Sequence, residues 1–590
     1  MVVTAELPLI VSAAALAVVA LLLSLAPRAR LGAWLAIGFA LIGSIAPFAF
    51  ATVIDPARAA GRALWEWSAA GGPTVQASYR FDGIAAVGVG VGAAYAAAGL
   101  FGAARAARRH PLLPSAILSL GLVFFALVVS EDLIAGTVVL GVLASVTILA
   151  TLAVAPLPAT TRLAAYLAVG VQFFVLAALL LSRFGGASFR FDAISPGSVS
   201  PGAILAASIG AALFAGLYPF IPWRFRTHLR APDLERLRGV ITMPAGVGAS
   251  VLLLRLLGTT RGDITSVSLP AVPVEWRALV AVVALAPAGL AAWRRGRLSS
   301  RGALLAMLLI AFLTAYPAFH WAHLMLLAAL LSVLYAAAVS LALPEQWDVV
   351  RYDVTLAAFW IALAVGTPTA LAGGLFILVA DAFVALAESI WTRGGYVVVI
   401  SGSAATVTGL IIIGLGLLGA RDAGAQGLAI TGLLAIAALI LVHVGRRLDV
   451  VSVPLALDGL AAAAALGITT LIGLAISVPL YQGVTAAFGR PFEPSVTNTP
   501  LGFITAVAVA TLLVVIARSV RPFMPDLAPF ATRLRGVIAV ADPVPAGHAA
   551  FAALDAIASR TTATFNLFEQ RAGVWLATLL IIAVLVWSVR

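Results

Sequence analysis

The chain has 590 residues, is 62% hydrophobic and has a mean hydropathy of +1.10, a balance that excludes an ordinary soluble domain. Its formal net charge of +12 comes from 36 basic residues, every one an arginine, against 24 acidic ones. With no cysteine there are no disulfides, thiolate metal sites or cysteine-held iron–sulfur clusters, and with no lysine no amine can lose its proton on burial, which arginine does not do.

In chain order, apolar runs are predicted at 7–26, 32–53, 84–104, 112–129, 133–155, 163–182, 202–222, 239–257, 275–293, 302–318, 321–343, 354–370, 374–391, 396–419, 427–445, 454–480, 500–517 and 573–589. Most are long enough to cross a bilayer core, and backbone groups in lipid must be satisfied within the segment, so the runs are read as about 16 to 18 transmembrane helices. The period-2 alternation of an outer-membrane barrel is absent. The expected fold is an all-α polytopic membrane protein, with a transmembrane domain over 1–517, a cytoplasmic connection over 518–572 and a final span over 573–590. The stretch "HAAFAALDAIASRTTATFNLFEQRAG" in that connection is expected to lie as an amphipathic helix at the interface. Residues 55–82, containing "GGPTVQASYRFDG", read as a short hairpin returning to the membrane.

Arginines fall mainly in alternate loops: 28 and 30; 105, 108 and 109; 162; 224–238; 294–301; 446 and 447; and 518–535. The positive-inside rule makes these loops cytoplasmic and the N-terminus extracytoplasmic, in a cell inner membrane. The basic charge then serves topology and lipid headgroups, and no nucleic-acid partner is needed.

Three stretches carry a family resemblance. The first is "YPFIPWRFRTHLRAPDLERLRGVITMPAGVGASVLLLR", with Pro219, Phe220, Trp223, Ala231, Pro232, Leu252 to Leu254 and Arg255. The second is "YRFDG", with Phe81, Asp82 and Gly83, and the third is "GGLFILVADAFVALAESIW". Together they resemble the antiporter-like, proton-translocating membrane subunits of respiratory complex I, Mrp antiporters and membrane-bound hydrogenases. The resemblance spans roughly 60–450 and implies a fold with one discontinuous helix, placed here at Pro244, Gly246 and Gly248. Such breaks line ion paths in transporters; the alternative is a proline kink in a packed helix.

The resemblance also implies a chain of buried titratable groups, and here the sequence departs from it. The expected glutamate falls near Gly141 or Val142 and the expected lysine near Val247. Asp381 stands where a histidine is implied, Ala385 where a lysine is implied, and Ile221 where the loop histidine belongs. A relay needs groups whose affinity for a proton can be tuned across working pH, and Arg255 is not one.

The remaining candidates for a proton path are Asp381, Glu388, His320 and His323. Asp381 and Glu388 are seven residues apart, so they share one helix face about 10 Å apart along the axis. Carboxylates within spans are expensive and functional by default, although Glu388 near a helix end can also reach the interface. His320 and His323 share a face and titrate near neutrality, but no third metal ligand accompanies them. Glu131 and Asp132 open a span and are expected to meet headgroups or water. His443 sits beside Arg446 and Arg447 at a loop, where topology explains it, and Asp458 lies shallow in a span.

No phosphate loop is present, which excludes an ATPase. "GVGVGAAYAAAG" has the spacing of a dinucleotide fingerprint but lies inside a span with no strand before it; its small residues suit helix packing. No cofactor and no catalytic redox site are expected in this chain. The resemblance implies membership of a multi-subunit, ion-translocating redox complex, with other membrane and peripheral subunits as partners. Two alternatives stand beside it: a structural subunit that has lost the pump, and the membrane half of a two-component inorganic-carbon or cation transporter.

Overall fold

The computed structural model describes residues 62–68, 74–80, 83–103, 112–155, 157–184, 188–194, 199–218, 220, 232–258, 321–342, 347–390, 395–418, 423–447 and 515–516, all within one compact unit of the chain. Expectations for Asp82, Pro219, Trp223, His320, Asp458, the interfacial helix, the final span and the domain boundaries lie outside the described residues, as does the side chain of Pro232.

The hairpin is present. β1 (Arg62–Ser68) and β2 (Thr74–Tyr79) pair antiparallel, with Trp67 opposite Val75 and a register shift between Ala63 and Trp65. The helices that follow are α1 (Gly83–Ala103), α2 (Leu113–Val129), α3 (Leu133–Leu152), α4 (Leu157–Phe184), α5 (Pro201–Ala215) and α6 (Pro232–Gly258). After a stretch outside the described residues come α7 (Trp321–Ala342), α8 (Trp347–Val365), α9 (Pro368–Ile390), α10 (Gly395–Leu417) and α11 (Ala423–Arg447). Among the described helices, six contain stretches long and apolar enough to cross a membrane: Leu133–Leu152, Leu157–Leu181, Leu237–Gly258, Ala322–Leu341, Thr369–Ser389 and Gln426–Val444. The protein is an all-α, multi-pass membrane protein.

Local sequence sets the ends of these helices. Asp132 caps α3, its Oδ1 accepting the amides of Ile134 and Ala135 at 2.7 and 2.9 Å. Ser200 caps α5 by accepting the amide of Ala203, and Pro201 follows as its first helical residue. Gly216 ends α5 in the left-handed region at φ 63°, which a residue with a Cβ rarely enters. Gly366, at φ 69°, makes the tight turn from α8 into α9.

Several boundaries differ from the sequence reading, two of them near the charged residues of α8 and α9. α8 starts at Trp347 and not at 354, which brings Arg351 inside the helix. Asp348, Arg351 and Asp353 lower the hydropathy there, but Arg351 finds buried acidic partners, so the helix runs on through it. The run expected over 354–370 stops at Val365, and α9 starts at Pro368 and not at 374, since proline suits the first turn of a helix, where its missing amide has no partner to lose.

The discontinuity expected at Pro244, Gly246 and Gly248 needs correction: α6 is one uninterrupted helix across all three. The glycines there serve close packing. A Cβ on Gly248 would lie 2.6 Å from Leu127 Cδ2, and one on Gly246 3.1 Å from the Cα of Ala215. Consistent with this, the whole apolar stretch of α6 is buried. It packs against α1, α2, α3, α5 and α8. Between lipid-bathed helices, close van der Waals contact and not water exclusion drives association. The pair α4 and α5 meets at Gly170 and Gly210, and α9 meets α10 at Gly373 and Gly409, where a Cβ on Gly373 would sit 2.9 Å from the Gly409 carbonyl oxygen.

Candidate functional site: buried ionic clusters at two depths

The first cluster joins α1, α8 and α9. Arg351 lies with Nε 2.8 Å from Asp381 Oδ1, and its Nη1 donates to Glu388 Oε1 at 2.7 Å. The two carboxylates sit on one face of α9, as their spacing requires, and one guanidinium bridges them. From α1, the Tyr95 hydroxyl donates to the other Asp381 oxygen at 2.6 Å. The Arg351 guanidinium also lies over the Tyr352 ring, 4.8 Å from its centroid. Asp381 is 2% exposed, while Arg351 and Glu388 are 14% and 17% exposed, so the deep carboxylate is sealed and the helix-end one is nearer solvent. Ala385, the position where the resemblance implies a lysine, is buried one turn from Asp381 and supplies nothing polar. The positive charge comes instead from the neighbouring helix.

A separate polar link joins α8 to α6. Trp360 of α8 donates its indole N–H to Ser250 Oγ of α6 at 3.0 Å, and the Ser250 hydroxyl donates to the Gly246 carbonyl at 2.8 Å. His323 of α7 is buried. His443, assigned to a loop end by sequence, is buried too: its ring stacks on Trp347 with centroids 4.0 Å apart, joining α11 to the start of α8.

The second cluster lies at the hairpin end. Arg80, just after β2, donates through Nη1 to Glu131 Oε1 at 3.3 Å. Arg255, near the end of α6, places Nη1 3.7 Å from Glu131 Oε2, and its Nη2 donates to the Val128 carbonyl at 2.9 Å. The expectation that Glu131 and Asp132 meet headgroups or water is corrected, because both are fully buried. The backbone explains this. The 129–133 segment is held between the hairpin and residues 188–194, with Glu131 N donating to Ser78 O, Phe191 N to Glu131 O and Leu133 N to Phe189 O. Asp132 Oδ2 accepts the Gln76 amide at 3.4 Å. Arg190 pairs with Asp192 and reaches Gln76 Oε1. Burial pushes the Asp132 carboxyl above the usual carboxylate range, opposed by the amides of Ala135, Gln76 and Ile134 and by the Arg190 charge.

Sequence reasoning found Asp381 and Glu388 and missed Arg351 and Tyr95. Signals were present for both. Three charges within "DVVRYD" at the mouth of a span need partners, and a phenol far from either end of an apolar helix needs an acceptor.

No family model and no curated protein matches this chain. Solved structures do. A chain of the Mrp complex from Dietzia sp. matches with a TM-score of 0.61 at 15% identity, over 100% of this chain and 63% of that one. This chain therefore spans less than two thirds of that chain's length. A chain of membrane-bound sulfane sulfur reductase, an archaeal respiratory membrane complex, matches with a TM-score of 0.54 at 13% identity, over 85% of this chain and 98% of that one.

Proposed function

We propose that the protein, which has the fold of the antiporter-like membrane subunits its sequence resembles, works as a membrane subunit of a multi-subunit, ion-translocating redox complex. In this reading it lies in the cell inner membrane with its N-terminus extracytoplasmic and carries protons. The observation that carries the reading is Arg351 of α8 shared between Asp381 and Glu388 of the apolar α9. Burying three charges in spans is expensive, and one guanidinium facing two carboxylates leaves a negative excess that a proton can neutralise.

The chemistry follows from the geometry. With both carboxylates ionised, Arg351 is divided between them. A proton arriving on Glu388, the more exposed acid, frees the guanidinium to pair with Asp381 alone. A proton passing to Asp381 returns Arg351 to Glu388. Arginine keeps its charge throughout and acts as a switch, not a carrier. Tyr95 donates to Asp381 and fixes the orientation of the carboxylate. His323, and His320 beside it in sequence, are proposed as continuations of the path.

A non-pumping structural role is the second reading, favoured by the buried apolar residues Val247 and Ala385 at positions where the resemblance implies lysines. Complex membership is tested by extracting the native protein in mild detergent and identifying what accompanies it by mass spectrometry. Redox subunits bearing flavin, iron–sulfur clusters or nickel are expected. Isolation alone, or with one soluble zinc protein, would overturn complex membership in favour of an independent or two-component transporter.

A further inference from the structure

We infer that Glu131 is a second proton-binding site, the terminus of the path on the hairpin side, with Arg255 and Arg80 as its gate. The inference rests on the proposed proton path and extends it to a residue outside the Asp381 cluster.

Two routes through the fold place Glu131 on the same line as that cluster. α6 and α8 run parallel, because Gly239 packs on Tyr352, Gly246 on Leu356, and Ser250 bonds Trp360. Arg255 to Ser250 is five residues and Trp360 back to Arg351 is nine, so the clusters are separated by about 21 Å of depth at 1.5 Å per residue. Along α1, Tyr95 lies twelve residues from Gly83 at the hairpin end, about 18 Å. The two estimates agree. Ser250 supplies a hydroxyl between the clusters, and the Trp360 indole, a donor only, holds it in place.

The surroundings of Glu131 do not suit a metal cation. Among the described residues, the charges facing it are Arg80 from the hairpin side and Arg255 from α6, and two guanidiniums repel a bound metal cation. The other nearby acid, Asp132, is engaged by the α3 cap and the Gln76 amide, while Arg190 is engaged by Asp192. Arg255 has a second anchor, the Val128 carbonyl, so it can loosen from Glu131 without losing every partner. Arg80 is 23% exposed and touches the sealed Glu131, so it links the acid to solvent. A proton arriving from the interior forms an O–H bond on the Glu131 carboxylate and releases both arginines. Passing that proton to water past Arg80 breaks the bond and restores the two ion pairs.

The test uses the native assembly in liposomes, with proton flux recorded while pH is varied on one side at a time. Because the chain has no cysteine, Glu66→Cys on the exposed hairpin, labelled with a membrane-impermeant maleimide, identifies the hairpin face. Glu131→Gln is expected to lower flux about a hundredfold, the scale of a lost proton-transfer group, and to abolish its dependence on hairpin-side pH. Asp381→Asn is expected to abolish flux. If Asp381→Asn abolishes flux and Glu131→Gln keeps wild-type flux and pH dependence, the Glu131 site is refuted and the Asp381 path stands. Unchanged flux in Asp381→Asn refutes the path itself. Should Glu131→Gln fail to assemble, Glu131→Asp decides: a shifted hairpin-side profile supports the site and an unchanged one overturns it. Flux that follows sodium and not protons overturns the assignment of the ligand.

Discussion

Arg351 and Asp381, on adjacent helices, face each other with Nε and Oδ1 2.8 Å apart in a region where Asp381 is sealed from solvent. A buried ion pair in an apolar surround adds little net stability, yet removing one partner leaves an uncompensated charge. Arg351→Met is therefore expected to destabilise the protein by about 3–5 kcal/mol, read as loss of thermal stability of the purified protein in detergent. Adding Asp381→Asn and Glu388→Gln to it should restore most of that loss. If the triple variant is no more stable than Arg351→Met, charge compensation is not what the cluster supplies.

Tyr95 donates to the other oxygen of Asp381 and so ties α1 to α9. Tyr95→Phe keeps the ring and deletes the donor. A hydrogen bond to a charged group contributes about 1.5–3 kcal/mol, and a loss of that size is expected in wild type. In an Asp381→Asn background the same change should have at most half that effect. Equal losses in both backgrounds would mean that the hydroxyl acts through something other than the carboxylate.

Helix contact through glycine makes a separate prediction. At the α9–α10 crossing, a Cβ on Gly373 would sit 2.9 Å from the Gly409 carbonyl. The obstacle is backbone and cannot rotate away. Gly373→Val should destabilise by about 1–3 kcal/mol, as overpacking does, whereas Gly414→Ala, which meets open space, should be neutral. Thermal unfolding of the two variants side by side checks this.

Asp132 gives a pH dependence with a definite sign. Its folded carboxyl binds protons more tightly than the unfolded one, because burial outweighs the hydrogen bonds to it. Stability from this group is then greatest below the unfolded value near 3.8 and falls as pH rises through the raised folded value. Asp132→Asn keeps a capping oxygen and removes the buried charge. Its stability relative to wild type should improve as pH climbs from 4 to 7, measured by unfolding across that range; a constant difference would contradict the raised affinity.

Much of the fold was legible because helices in lipid must satisfy their own backbone, so hydropathy marked the described spans, while the "GGPTVQASYRFDG" stretch marked the hairpin. The same spacing logic put Asp381 and Glu388 on one face. Their partner was not legible, because Arg351 lies on a different helix and 30 residues earlier, and pairing across helices leaves no periodic trace. Its charge also pushed the expected start of α8 downstream to 354. Glu131 was misread for a related reason: a carboxylate at a span mouth looks solvated until the hairpin and residues 188–194 close over it. At Pro244, Gly246 and Gly248, residues that often break helices proved compatible with a continuous one, since the sequence does not reveal that Ala215 and Leu127 press against those glycines.

The most direct measurement is proton flux through the native assembly, reconstituted in liposomes, with Asp381→Asn compared with wild type at equal assembly. If the Asp381–Arg351–Glu388 cluster carries protons, Asp381→Asn abolishes flux. Wild-type flux in an intact Asp381→Asn assembly would show that the cluster only holds helices together and that protons, if they cross, cross elsewhere.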